Sequence, residues 1–361
     1  MAAAWDVAGN PSSVHAEGRQ ARRLVEDARA AVASAIGGRS QDVVFTSGGT
    51  EANALALTPG VRRGSGQPAR RLLVSAIEHT SVLAGGRFAP EAIGAIDVTS
   101  SGLIDLGHLR RLLAEGPPAL VSVMLANNET GAIQPISEVA AIVHEAGGLL
   151  HVDAIQALGK IPFEIKSMNA DLITLSAHKI GGPKGVGALV LGEDVQIEAL
   201  LRGGGQELGR RAGTENVAGI AAFGAAASAA MAALAPDAQR LQSLRDQLEK
   251  GLMQTAGMIV FSADVPRLPN TTLFTVPGLK AETAVIGFDL SGIAVSSGSA
   301  CSSGKVQPSH VLAAMGVPKD LAQGAVRLSL GWSTTEADID LALQAWRKLA
   351  DALLRGRRNT A

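Results

Sequence analysis

The sequence predicts an α/β protein with a large domain around a mostly parallel sheet and a smaller α+β domain at the C-terminal end. Two observations carry this prediction. Short apolar runs alternate with helical patterns between residues 42 and 192, which is typical of βαβ units. The first five runs each end in polar residues or glycine, and doubly wound sheets bind ligands at the carboxyl ends of their strands. The runs cover residues 43–45, 71–77, 119–125, 149–152, 172–175 and 188–191.

The domain boundary is expected near Pro236. A Gly-rich segment over residues 203–219 leads into an Ala-rich helical stretch, which Pro236 is expected to interrupt. Beyond it, residues 270–276 and 293–296 have the pattern of strands, and residues 336–354 that of a closing amphipathic helix. We therefore expect a large domain over residues 10–235 and a small one over residues 236–361, with residues 1–9 packing near the small domain.

Composition favours a soluble globular protein and identifies no partner. The 361 residues are 47% hydrophobic and 18% charged, with 32 basic against 33 acidic side chains. A chain with this balance has no net field to recruit nucleic acid or an anionic membrane. Residues 1–9 lack the basic start and long apolar core of a signal peptide. We expect a cytoplasmic protein with no nucleic-acid or membrane partner.

The chain contains one cysteine, Cys301. A single thiol excludes an intramolecular disulfide, and with so few sulfur ligands we expect no structural zinc and no other metal. The surrounding residues 296–305 are mostly small and include two glycines, a composition that favours an exposed thiol over a buried, inert one. Cys301 is therefore a candidate nucleophile, which must be a thiolate to react.

Lys179 and Asp153 indicate a cofactor site. Lys179 directly follows a predicted buried strand, where its amine is partly desolvated and suited to Schiff-base chemistry; a surface lysine beside a turn is the alternative. Asp153 ends an earlier apolar run, where a carboxylate can pair with the protonated pyridine nitrogen of pyridoxal phosphate (PLP); a helix cap is the alternative. Gln156 follows closely enough to reach the phenolic oxygen of that cofactor.

Three further segments carry candidate ligands. Gly49 and Thr50 lie in a turn from strand into helix, where backbone N–H groups bind phosphate or where Thr50 caps the helix. His79 follows another strand, either as a ring stacked on the cofactor or as a structural histidine. Arg327 interrupts an apolar strand, and its guanidinium suits a substrate carboxylate or a structural ion pair.

Taken in order, these motifs resemble the cysteine desulfurases of the NifS and IscS type, which are class V aminotransferases with fold type I of the PLP-dependent transferases. The similarity extends from residue 10 to residue 336. The matching segments are residues 10–15, 47–51, 127–131, 151–156, 176–185, 210–216, 297–301 and 330–336.

The resemblance implies that Lys179, Cys301 and His79 are catalytic and that Asn128 and Arg327 bind the substrate. Lys179 would carry PLP as a Schiff base. Cys301 would take the sulfur of L-cysteine as a persulfide, with alanine as the product. Arg327 would bind the substrate carboxylate, and Asn128 would help to hold the substrate.

The resemblance also implies a set of cofactor ligands. His79 would stack on the ring, Asp153 would pair with the pyridine nitrogen and Gln156 with the phenolic oxygen. The remaining ligands share the phosphate, and Thr214 would come from the second subunit of a homodimer. These phosphate ligands are Gly49, Thr50, Ser176, His178 and Thr214.

The expected function is thus PLP-dependent cysteine desulfuration for a sulfur-acceptor protein or an iron–sulfur scaffold. The alternatives are a selenocysteine lyase, another class V PLP enzyme, or a non-catalytic PLP-binding subunit. The last is motivated by residues 1–9, which differ from the longer N-terminal segment of relatives. Leu208 and Trp332 also stand where relatives commonly have arginine.

Overall fold

The computed structural model describes residues 1–7, 9–298 and 309–354, so Cys301 lies outside the described residues. The chain forms two compact units. Unit 1 comprises Met1–Asp97, Ile104–Leu125 and Gln134–Leu234, and unit 2 comprises Val98–Leu103, Ala126–Ile133 and the described part of Ala235–Ala361. Residues 1–7 belong to unit 1.

The strands are short and mostly buried. In chain order they are β1 Val43–Thr46, β2 Arg62–Arg63, β3 Leu72–Ser75, β4 Ile93–Ile96, β5 Leu120–Met124, β6 Leu149–Asp153, β7 Leu172–Ser176, β8 Gly187–Leu191, β9 Val195–Gln196, β10 Ile259–Val260, β11 Thr271–Thr275, β12 Ser296–Ser297 and β13 Val326–Ser329.

Unit 1 is built on a seven-stranded sheet with the order β1-β8-β7-β6-β5-β3-β4. Strand β8 is antiparallel to both of its neighbours, and all other pairs are parallel. The remaining six strands therefore run in one direction, and their carboxyl ends share one edge of the sheet. This confirms the predicted mostly parallel sheet, and all six predicted apolar runs are strands in it. The edge strand β4 was not predicted, because it is only partly buried and contains Gly94.

The helices cover the sheet and extend into unit 2. They are α1 Ala2–Trp5, α2 Ala16–Ala35, α3 Gly49–Ala56, α4 Thr80–Leu83, α5 Leu106–Ala114, α6 Ile136–Glu145, α7 Val217–Leu252, α8 Ala281–Asp289, α9 His310–Ala314, α10 Lys319–Ala322 and α11 Glu336–Leu354. Helix α3 packs on β7 and β8, and α6 on β6. Helix α7 approaches α2 so closely that a Cβ on Gly224 would lie 2.6 Å from the Cα of Ala28.

Unit 2 has its own apolar core around an antiparallel sheet with the order β10-β11-β13-β12. The predicted closing helix is α11, and its buried residues Ile339, Leu343 and Trp346 recur at helical spacing. The ring of Trp346 packs edge-on against Phe274 of β11, with the ring centroids 5.1 Å apart. The helix therefore seals this sheet through one apolar stripe.

Helix α7 is continuous through Pro236, so the predicted interruption is wrong. Pro236 is exposed, and a proline inside a helix removes one backbone hydrogen bond without necessarily ending the helix. Among the described residues, α7 is the one helix long and apolar enough to cross a membrane by length and composition, a test that core helices of soluble proteins also pass.

Candidate active site

The turn between β1 and α3 brings the predicted phosphate ligands to the carboxyl-end edge of the sheet. Gly48 is the N-cap of α3 and makes no side-chain cap, so the alternative role of Thr50 as the cap is not observed. A Cβ on Gly49 would lie 2.2 Å from Cδ1 of Ile155 and 3.6 Å from Cβ of Ser176. Glycine at this position therefore lets the turn approach the ends of β6 and β7.

An ion pair holds this turn in place. The N–H of Ser47 donates to Glu51 at 2.8 Å, and Arg211 Nε donates to the other oxygen of Glu51 at 2.8 Å. Burial favours the protonated form of Glu51, but the hydrogen bonds from Arg211 and Ser47 outweigh it and lower the pKa. Glu51 thus stays anionic and fixes the phosphate turn to the segment that carries Thr214.

Asp153, the last residue of β6, is buried, and its carboxylate accepts hydrogen bonds from two donors. Its Oδ1 accepts from the N–H of Ile155 at 3.0 Å, and its Oδ2 from Asn53 Nδ2 at 2.9 Å. Burial raises the pKa of Asp153, whereas these hydrogen bonds and the charges of His79 and Lys179 lower it. The bond to Ile155 holds a turn rather than the start of a helix, so the alternative role of Asp153 as a helix cap is not observed. Lys179 and His79 lie within electrostatic reach of Asp153.

His79 caps the short helix α4. Its Nδ1 accepts from the N–H of Ser81 at 3.1 Å and lies 2.8 Å from Ser81 Oγ. Because a backbone N–H can only donate, Nδ1 is the acceptor of this hydrogen bond. The structural role considered for this histidine is therefore observed.

Glu78 is a fully buried carboxyl group beside Asp153. Its Oε1 accepts from the N–H of Met124 at 2.7 Å. Burial first, and then the negative charge of Asp153, raise the pKa of Glu78 well above its usual range. Of this pair, Asp153 thus has the surroundings that favour an anion more, since it accepts from Asn53 and Ile155 and faces positive charge.

The segment after β7 carries the predicted Schiff-base lysine. Ser176 Oγ lies 2.9 Å from His178 Nδ1, and Lys179 follows in a single 3-10 turn that ends at Gly181 in a left-handed conformation. Burial and the charges of Lys179, Lys184 and Lys160 lower the pKa of His178. The turn thus presents a neutral imidazole and a hydroxyl next to the lysine.

Two of the predicted cofactor ligands, Gln156 and Thr214, are not hydrogen-bonded to the other predicted ligands in the described part of the chain. Gln156 Oε1 accepts from Lys160 Nζ at 2.8 Å, which leaves its amide nitrogen to donate. Thr214 is exposed, and among the described residues no hydrogen bond joins it to the other predicted ligands.

Unit 2 brings the two predicted substrate ligands together. Arg327 Nη1 donates to the backbone oxygen of Asn128 at 2.6 Å. The next residue, Glu129, is 3% exposed and accepts from Ser309 Oγ at 2.5 Å. Burial raises the pKa of Glu129 to about 7, although the hydrogen bond from Ser309 and the charge of Arg327 act against it. The charge of Arg327 thus acts on Glu129.

Glu129 borders both ends of the stretch that contains Cys301. A Cβ on Gly298 would lie 3.5 Å from Glu129 Oε2 and 3.5 Å from Cβ of Ser309. Gly298 and Ser309 are the described residues that flank this stretch.

The sequence missed the polar side chains that support the predicted ligands. They are Glu51, Asn53, Glu78, Ser81, Glu129 and Arg211. A polar residue on a buried helix face is the signal that marks Asn53, since its neighbours Ala52, Leu55 and Ala56 are all buried apolar side chains. Glu78 carries a comparable signal, as a charge at the end of an apolar strand.

Comparisons with known proteins agree with this arrangement. The class-V aminotransferase family matches residues 4–342. The cysteine desulfurase IscS of Dictyoglomus turgidum is 39% identical over 349 residues, which cover 96% of this chain and 88% of that protein. The structure of a NifS-like protein from Rickettsia africae has a TM-score of 0.88 at 38% identity and covers 97% of this chain and 94% of its own.

A further solved structure, SspA in complex with cysteine, has a TM-score of 0.72 at 28% identity and covers 90% of this chain and 91% of its own. The matches span nearly the whole length of this chain and of its relatives. The fold of unit 1, the ordered set of polar side chains at its sheet edge and these matches lead to one conclusion: the chain belongs to the class-V aminotransferase family and, within it, to the cysteine desulfurases.

Proposed function

We propose that the protein removes sulfur from L-cysteine with the help of PLP, releasing L-alanine and leaving a persulfide on Cys301. The observation that carries the proposal is the grouping of Asp153, His79 and Lys179: Asn53 donates to Asp153 and to Ser81, Ser81 lies 2.8 Å from His79, and the charge of Lys179 acts on Asp153. The related SspA structure in complex with cysteine supports L-cysteine as the substrate.

The side chains at the sheet edge fit PLP chemically. Asp153 offers an anionic acceptor for a protonated ring nitrogen, and Lys179 offers a primary amine. Ser176, His178 and the backbone N–H groups of the first turn of α3 are donors for a phosphate. When bound, PLP supplies an electron sink for the charge that develops at the α-carbon of the substrate.

The remaining chemistry belongs to residues of this chain. Arg327, held at Asn128, binds the substrate carboxylate, and the Lys179 amine moves the proton at the α-carbon. The Cys301 thiolate attacks the substrate sulfur: a sulfur–sulfur bond forms, the carbon–sulfur bond breaks and its electron pair returns to carbon, where a proton completes alanine. The sulfur taken from the substrate, now bonded to the Cys301 sulfur, then passes to an acceptor protein, for which we propose an iron–sulfur scaffold.

We also propose that the active unit is a homodimer in which Thr214 serves the phosphate site of the partner. This proposal is supported by the exposure of Thr214 in the single chain and by its position in the Gly-rich segment that Arg211 ties to Glu51.

The test compares two variants that fail at different steps. Cys301→Ser keeps every proposed cofactor ligand, so it should bind PLP like the wild type. It should nevertheless form roughly 10²-fold less alanine from L-cysteine, because it lacks the thiolate. Lys179→Ala should lose covalently bound cofactor, measured by borohydride reduction and peptide mapping. Alkylation of wild type after incubation with L-cysteine should locate one extra sulfur on the peptide that contains Cys301.

Unchanged alanine production by Cys301→Ser would contradict the persulfide step. A keto acid in place of alanine would indicate transamination instead. A borohydride label on a residue other than Lys179 would contradict the assignment of the amine.

A further inference from the structure

We propose that Asn53 is a positioning residue that holds Asp153 and His79 in a fixed relation to each other. This inference rests on the proposed function, in which these two side chains contact the cofactor ring. Asn53 lies on α3 and is 0% exposed, so it acts from behind the site.

The amide nitrogen of Asn53 donates one hydrogen bond toward Asp153 and one toward His79, the second by way of Ser81. Nδ2 donates to Asp153 Oδ2 at 2.9 Å and to Ser81 Oγ at 2.9 Å. Ser81 in turn lies 2.8 Å from His79 Nδ1, so its hydroxyl can accept from Asn53 and donate to the imidazole. One amide group thereby links the carboxylate to the histidine ring.

The orientation of this amide is determined by charge. Exchange of its nitrogen and oxygen would place Oδ1 against the Asp153 carboxylate, where two acceptors repel. In the observed orientation Oδ1 is buried and has no hydrogen-bond partner among the described residues. An unsatisfied buried acceptor is unfavourable, and the fold retains it here in exchange for two donated hydrogen bonds at the site.

The hydrogen bond to Asp153 also affects its charge. Burial raises the pKa of Asp153, and the bond from Asn53 is the first of the interactions that oppose this rise. The titratable groups that act with or on Asp153 are Glu78, His79 and Lys179. Loss of the Asn53 donor should therefore make Asp153 take up a proton at higher pH than in the wild type.

The experiment measures PLP binding and its pH dependence in the full-length protein. Asn53→Ala should raise the dissociation constant for PLP about tenfold, the scale of one hydrogen bond to a charged group. The loss of bound cofactor on acidification should begin at higher pH, and the circular dichroism of the bound cofactor should weaken because the ring loses its fixed orientation. Ser81→Ala, at a half-buried position, removes only the link from Asn53 to His79. It should raise the dissociation constant for PLP about threefold.

Ser122→Ala is the matched control. It removes another buried hydrogen bond to a histidine, between Ser122 Oγ and His151 Nδ1 at 2.8 Å, without touching Asp153 or His79. Ser122→Ala should lower the free energy of unfolding. It should keep the wild-type dissociation constant for PLP, the wild-type pH at which bound cofactor is lost, and the wild-type circular dichroism of the bound cofactor.

Wild-type values for both Asn53→Ala and Ser81→Ala would overturn the inference and leave the proposed function intact. If Asn53→Ala does not fold, Ser81→Ala decides, and its wild-type behaviour would overturn the inference by itself. A wild-type protein that binds no PLP would overturn the proposed function and this inference together.

Discussion

At the scale of single residues, burial decides which titratable groups are charged. Glu78 and Asp153 are neighbouring buried carboxyl groups, and burial raises the pKa of both. Asp153 accepts hydrogen bonds from Asn53 and Ile155 and lies within reach of positive charge, whereas Glu78 accepts from Met124 and faces the negative charge of Asp153. The anion is therefore better stabilised at Asp153 than at Glu78. Environments that separate two carboxyl groups in this way are typical of catalytic sites.

His151 gives the protein a predictable response to acid. It is fully buried, and burial lowers its pKa to about 3. The unfolded chain binds a proton near pH 6.5, so between these two values the unfolded state holds one proton more than the folded state. The free energy of unfolding attributable to His151 should thus fall by about 2 kcal/mol from pH 7 to pH 5.

The free energy of unfolding is measured by urea denaturation at both pH values. From pH 7 to pH 5 it should fall by about 2 kcal/mol less in His151→Gln than in the wild type. Equal losses in His151→Gln and wild type would contradict the buried neutral state of His151.

At the scale of elements, α7 contains an unfavourable residue that the fold tolerates. Pro236 lies inside the helix and is exposed, so it removes a backbone hydrogen bond without filling the core. Pro236→Ala should raise the free energy of unfolding by about 1–3 kcal/mol, measured in urea. Ala235→Gly, at the preceding exposed position, is the opposite control and should lower it by about 1 kcal/mol. A less stable Pro236→Ala variant would show that the helix requires the geometry that Pro236 imposes.

The sequence predicted elements where one physical signal dominated. Fully buried strands such as β5 and β7 are continuous apolar runs, and α11 has a clear apolar stripe. Edge strand β4 and the two-residue β10 were missed because partial burial leaves little pattern. The predicted break at Pro236 failed because neighbouring turns of α7 maintain the helix across it.

The candidate site shows the same limit. Asp153, His79 and Lys179 were predicted because each follows an apolar strand, and the shared edge of a parallel sheet brings them together. Asn53 and Ser81 were missed because hydrogen bonds between distant elements leave no spacing in the sequence. Only the packing of α3 against the sheet brings Asn53 to Asp153.

At the scale of the whole molecule, the proposed homodimer predicts that two defective chains repair each other. Thr214→Ala should weaken PLP binding about tenfold if its hydroxyl holds the phosphate. If Thr214 acts on the partner's site, a mixed dimer of Thr214→Ala and Lys179→Ala contains one site with both residues intact. Alanine formation should therefore rise when the two variants are unfolded and refolded together.

Each variant refolded alone is the control and should show no such rise. Light scattering of the wild type should give twice the mass of the 36.8 kDa chain. Absence of repair in a mixed dimer would indicate that Thr214 acts within its own chain, and a monomer with full cofactor occupancy would contradict the dimer.

The order of the strands in the sheet of unit 1 also determines how the nascent chain can fold. Strands β3 and β4 can pair first, and β5, β6, β7 and β8 can each join the sheet as they leave the ribosome, because each lies beside a strand already made. Strand β1 is different, since its sheet neighbour is β8. The first strand of the sheet to be synthesised is the last to be paired, and its four buried residues must wait until translation has passed Leu191.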